Sequence, residues 1–140
     1  MTTTSMAAPS AKDPAWRTAL AGIDGLDCTR GVSVVRGRWP TYLRILRTFV
    51  STQGDAGPKL ERALAEGRLN DVEHLAHALK GSAGNIGALK VFEMAADVCT
   101  AIRAGGDAEA AARPVARLVR ALQPLLTALR QRLPQEEDAP

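Results

Sequence analysis

The sequence predicts an all-α protein, built as an antiparallel bundle of amphipathic helices. Three observations carry that expectation. Apolar residues recur every three to four positions along most of the chain. No sustained alternating, β-branched run stands between turn residues, the isolated Val32–Val35 being the one short candidate for a strand. Gly, Pro, Asn and Asp cut the periodic pattern into helix-length pieces with short connections, which favours antiparallel neighbours. With 140 residues the chain is one domain's worth. It is 46% apolar but only 4% aromatic, so aliphatic side chains and Ala must do the packing.

The elements follow in order. Residues 1–12 are Thr, Ser, Ala and Pro without an apolar period and read as a disordered lead-in. Asp13-Pro14 is an N-cap followed by Pro at the first helical position, ahead of Trp16, Ala19 and Leu20. Gly22 and Gly25 break the chain, and a turn or short helix is expected from Cys28 to Val35. Pro40 starts a clearer helix through Leu43, Leu46, Phe49 and Val50, which Gly54–Pro58 interrupts. A second piece, Pro58–Glu66, carries Leu60, Ala63 and Leu64 and ends at Gly67.

Asn70 and Asp71 are expected to cap the next helix, with Val72, Leu75, Leu79 and Ala83 as its apolar row and Asn85 and Gly87 at its end. Leu89–Ala104 should turn Phe92, Ala95, Ala96, Cys99 and Ile102 inward. Gly105-Gly106 stops it. Asp107 caps a last helix that runs to about Leu133, where Pro114 and Pro124 should bend or break it. The bundle thus spans 13–133, and 134–140 form a polar, acidic tail.

Composition also excludes several classes. No uncharged apolar run approaches a membrane span, and Met1–Ser10 has no basic flank or apolar stretch of the secretory kind. Cys28 and Cys99 make neither a disulfide framework nor a zinc site and read as buried thiols. His74 and His77 stand three apart, but no third His exists to complete a metal site. Neither a Gly-x-x-x-x-Gly-Lys phosphate loop nor a Gly-x-Ser-x-Gly elbow is present. The net charge of +3 suits an anionic partner. The arginines at 113, 117, 120, 130 and 132, however, are spaced as a solvated face without recognition aromatics, so nucleic acid is not expected.

The informative stretch is Leu75–Ala88, LAHALKGSAGNIGA. At about 100° per residue, Val72, Leu75, Ala76, Leu79, Ala83 and Ile86 form one narrow stripe. His77, Gly81 and Gly84 fall roughly 120–180° from Val72 and point outward, with Lys80 on the shoulder beside the ring. His74 also points outward. Glycine inside a helix is unfavourable by about 0.5–1 kcal/mol relative to Ala. Two glycines on one exposed face therefore suggest either clearance, allowing another macromolecule to approach His77 closely, or a close helix–helix contact or helix termination.

His77-Ala78-Leu79-Lys80-Gly81-Ser82, followed by Gly87-Ala88, resembles the signature of histidine phosphotransfer (HPt) domains. Ile23-Asp24, Gly31 and the run Tyr42–Phe49 look like the opening of HPt modules of hybrid sensor kinases, and Ala104–Asp107 like their turn into the last helix. The resemblance covers about Ile23 to Leu133. It implies an antiparallel four-helix bundle with a short additional N-terminal helix. It also implies a phosphorelay carrier that passes a phosphoryl group between receiver-domain aspartates.

His77 aligns with the phosphorylated histidine. Lys80 and Gly81 align with its supporting residues, and Ser82 and Gly84 complete the expected docking set. The same resemblance implies no cofactor in this chain, the receiver supplying the divalent metal, and no autonomous kinase activity. The implied partners are receiver domains or a hybrid kinase. The implied place is the cytoplasm, free or as the cytoplasmic end of a membrane-bound kinase. Cys99 falls on the facing helix where a polar group would steady the ring, and a thiol is a poor one. The alternative is an interaction module of the same fold that binds a partner without transfer.

Overall fold

A computed structural model describes residues 16–133. The expected lead-in, the Asp13-Pro14 cap and the acidic tail lie outside the described residues. Seven helices follow one another among those described: α1 Trp16–Leu20, α2 Cys28–Val34, α3 Trp39–Gln53, α4 Ala56–Ala65, α5 Leu69–Ile86, α6 Leu89–Arg103 and α7 Ala108–Arg132. No strand occurs among them, and Val32–Val34 belongs to α2.

The bundle closes as a ring. α5 packs between α4 and α6, and α7 packs between α6 and α4. α3 adds to the same wall as α4 and also touches α5 and α7. The two are separated only at Gly54–Asp55. The result is an antiparallel four-helix bundle whose first side is a broken helix, with short N-terminal helices before it. α5 and α7 therefore lie diagonally, and the outward face of α5 is left for solvent.

Periodicity explains the core. Val72, Ala76, Leu79, Ala83 and Ile86 of α5 are fully buried, and Leu118, Leu122, Leu126 and Leu129 of α7 answer them across the bundle. Leu43, Leu46, Phe49, Leu60 and Ala63 fill the α3–α4 side. The core is mostly aliphatic, as the scarcity of aromatics requires, with Trp39, Tyr42 and Phe49 as its buried rings. Tyr42 is the exception that brings a polar group inside, and its buried hydroxyl donates to the Ile86 carbonyl at 2.8 Å.

That carbonyl lies at the end of α5, where the chain must turn sharply. Gly87 has φ +80°, and the Ala88 N–H donates back to Ala83 O at 2.9 Å, a glycine-terminated helix end. The Asp27 N–H donates to Gly87 O at 2.8 Å, seating α2 on this corner. Asp27 also caps α2, its carboxylate accepting from the Arg30 N–H at 3.0 Å. Asp107 caps α7 as expected, accepting from the Ala110 N–H at 2.9 Å.

Three local expectations are corrected. The N-cap of α5 is Arg68, which makes no side-chain cap bond, and Asn70 and Asp71 lie inside the first turn. The Arg68 guanidinium donates to Asp71 and, at 2.8 Å, to Glu66, so a charge cluster ties the turn instead. Phe92 is exposed, whereas Val91, Ala95, Val98 and Cys99 face the core. Ala95 and Cys99 face inward as expected, but the buried stripe leans toward Val91 and Val98 and leaves Phe92 at its edge. Pro114 and Pro124 lie inside α7 and neither breaks it, the helix running from Ala108 to Arg132 through both. The carbonyls they leave unbonded belong to Ala110 and Arg120, both exposed residues that water can serve.

Candidate functional site

α5 places Glu73, His77, Lys80 and Gly84 on one face by helical spacing, and α6 does the same for Phe92, Ala96, Cys99 and Arg103. Only Gly87 and Ala88 separate the two helices, so they run antiparallel and these stripes meet. At one end a Cβ on Gly84 would stand 3.3 Å from Phe92 Cδ1. At the other end Arg103 Nε donates to Glu73 Oε2 at 2.7 Å. The same register sets His77 opposite Cys99 and Lys80 opposite Ala96.

His77 is exposed, one turn after Glu73 and just short of Lys80. A shallow cleft beside it is lined by Asn70, Glu73, His74 and Arg103. The Lys80 ammonium lies over the Phe92 ring, 5.9 Å from its centroid. His77 and Arg103 line the same cleft, while Lys80 stands on the following turn of α5 with its ammonium turned toward Phe92. The Arg103 guanidinium is held above its ordinary pKa by its bond to Glu73.

Cys99 is buried beneath this groove. Burial pushes its thiol pKa up, against the lowering influence of Arg103 and Lys80, so it stays a neutral thiol at neutral pH. It makes no hydrogen bond to the ring among the described residues, and the ring is steadied by its helix alone. His74 is exposed and borders two clefts, this one and another toward Lys59 and Arg62 of α4.

The glycines divide. Nothing lies within 4 Å of a Cβ built on Gly81, so the surface next to His77 is open there. The space at Gly84 is instead taken by Phe92, so that glycine serves a packing contact within the chain rather than clearance for a partner. Ser82 is turned roughly 140° around the helix from His77. It lines a separate groove between α3 and α5 with Thr48, Thr52 and Asn85, and the structure does not bring it to the imidazole.

Glu73, Phe92 and Arg103 escape a reading of the sequence alone. Glu73 carries a usable signal, its four-residue spacing to His77. Phe92 and Arg103 depend on the register between two helices, which the two-residue connection at Gly87-Ala88 limits but does not name.

The described helical bundle displays His77 on its surface, with Lys80 on the following turn of α5 and open space at Gly81. The Hpt domain family matches residues 44–137. The fold is similar to that of the HPT domain from the Hpt sensor hybrid histidine kinase from Shewanella, with a TM-score of 0.72 and 15% identity. That match covers 76% of this chain and 92% of the other. No match is found among curated proteins. The chain belongs to the Hpt domain family, whose role is histidine phosphotransfer in two-component signalling. No helix among the described residues is long and apolar enough to cross a membrane.

Proposed function

We propose that this chain is a phosphorelay intermediate in which His77 takes a phosphoryl group from one receiver-domain aspartate and passes it to another. The observation that supports this most is the placement of His77, exposed beside the open face at Gly81, with Arg103 lining the same cleft and Lys80 on the next turn of α5.

The chemistry asks little else of the protein. An unprotonated ring nitrogen, Nε2 by the family's precedent, attacks the phosphorus of an aspartyl phosphate in line. A P–N bond forms as the P–O bond to the acyl oxygen breaks, and the aspartate leaves as a carboxylate. The other ring nitrogen keeps its proton, and the resulting positive ring balances part of the phosphoryl charge. The reverse sequence on a second receiver discharges the ring. Phosphoryl transfer depends mainly on positioning and charge stabilisation. Lys80 supplies a cation to the equatorial oxygens, Gly81 leaves room for the incoming backbone, and the receiver brings the aspartate and its divalent metal. Gly84 contributes by seating Phe92.

No kinase activity and no cofactor belong to this chain on that reading. Its partners are receiver domains or a hybrid kinase, and its place is the cytoplasm, free or as a kinase's cytoplasmic end. Incubation with a labelled phospho-receiver tests it. Label is expected on the wild type as acid-labile phosphohistidine and absent from His77→Gln. A wild type that never acquires label, or a His77→Gln variant that acquires it equally, overturns the proposal in favour of a module that only binds.

A further inference from the structure

We propose that Phe92 is a positioning residue for phosphoryl transfer, its ring face holding the Lys80 ammonium in the α5–α6 groove on the turn that follows His77. The proposal rests on the reading of His77 as the phosphoacceptor and adds what places the cation.

Phe92 is 36% exposed, although Val91, Ala95 and Val98 supply the core side of α6. Its ring is nonetheless fixed. Gly84 lacks a Cβ, and one built there would stand 3.3 and 3.4 Å from two ring carbons, so the ring lies flush on the backbone of α5. Lys80 Nζ is 5.9 Å from the ring centroid, within the range of a cation–π contact. The small Ala96 faces Lys80 across the groove and leaves room for its stem. Gly84, Phe92 and Lys80 thus form a chain of contacts ending one helical turn from His77.

The choice of an aromatic face has a chemical consequence. A carboxylate holding the ammonium would carry negative charge beside an incoming phosphoryl group and would have to be displaced. A ring attracts the ammonium through its quadrupole and leaves the full positive charge available. Lysine also has much rotamer freedom to lose. Placing it before the receiver docks removes that ordering from the transfer step and acts on the rate of transfer rather than on docking.

Two measurements on the full chain test this, one of them independent of transfer. In NMR spectra the Lys80 ε-methylene protons are expected upfield through the ring current of Phe92, shifted in the wild type and in Phe92→Tyr but not in Phe92→Leu. In single-turnover transfer from a phospho-receiver, Phe92→Leu is expected to lower the maximal rate about threefold. The half-saturating receiver concentration should stay unchanged, and Phe92→Tyr should restore the rate. In a Lys80→Ala background, Phe92→Leu should cause no further loss. The proposal is overturned if the upfield shift is missing in the wild type. It is also overturned if Phe92→Leu slows the Lys80→Ala variant by the same factor, or if its effect lies in half-saturation. Label reaching His77→Gln instead defeats the phosphoacceptor reading and leaves the NMR result standing.

Discussion

Arg103 reaches from α6 to the carboxylate of Glu73 on α5 at 2.7 Å, one helical turn before His77. Both side chains keep contact with solvent, at 58% and 29% exposure, so the pair contributes little net stability. Its interest lies in competition. A phosphoryl group on His77 is a stronger acceptor for a guanidinium than one carboxylate. Glu73→Gln frees Arg103 and should raise the equilibrium yield of phosphorylated His77 against a fixed phospho-receiver. Arg103→Ala should lower it by about threefold, with little change in unfolding midpoint. Equal yields in the wild type and both variants would show that Arg103 does not meet the phosphoryl group.

Gly81 separates folding from function. Nothing lies within 4 Å of a Cβ placed there, and helix-interior glycine is less favourable than Ala by about 0.5–1 kcal/mol. Gly81→Ala should therefore raise the unfolding free energy by roughly that amount. Gly81→Gln should fold equally well but slow transfer about tenfold or more, because a misplacement of ~1 Å at a reacting centre costs about 10²-fold. Transfer by Gly81→Gln at the wild-type rate would show that no partner closes over this residue.

Gly87 shows the opposite behaviour. Its φ of +80° suits glycine, and a Cβ there would run into the Asp27 carbonyl and stand 3.0 Å from Gly31 N. The left-handed conformation costs a residue with a Cβ about 1–2 kcal/mol, and overpacking adds about 1–3. Gly87→Ala should lose roughly 2–5 kcal/mol in urea unfolding. The folded fraction should still transfer normally, because His77 lies well over two turns away on α5. A loss below about 1 kcal/mol would mean that the α2 seat yields easily.

The sequence discloses what depends on one helix at a time. The buried stripe of α5, the outward His77 and the stop at Gly87 all follow from periodicity and from glycine's freedom at positive φ. Contacts between helices are less legible. The helical spacing of Phe92 to Ala96 and Cys99 points it inward, yet Val91 and Val98 fit the core better and Gly84 offers the ring a flat seat. Arg103 joins the site only because α6 folds back on α5 in that register. The start of α5 misleads because Asn70 and Asp71 are good cap residues, while ion pairs from Arg68 to Glu66 and Asp71 organise the turn without a cap bond.

Alkaline pH should unfold this bundle through Tyr42, Cys28 and Cys99. Burial raises all three pKa values, from ordinary values of 10.0 for the phenol and 9.0 for the thiols. The folded chain keeps these protons, whereas the unfolded chain releases them near the ordinary values. Their stabilising contribution is thus complete below about pH 9 and falls as pH climbs toward each folded pKa. Each group adds a slope of up to about 1.4 kcal/mol per pH unit in its own window. Tyr42→Phe removes the phenol, and with it the hydrogen bond that partly offsets the rise of the Cys28 thiol pKa. At neutral pH it should cost about 1–3 kcal/mol, because the buried Ile86 carbonyl loses its 2.8 Å donor. Above about pH 10 the gap to the wild type should narrow, since only the wild type must keep a phenol protonated to stay folded. Urea unfolding at neutral pH and at about pH 9 and 10.5 measures both curves. A gap that stays constant across that range would show that the Tyr42 hydroxyl ionises as readily in the fold as outside it.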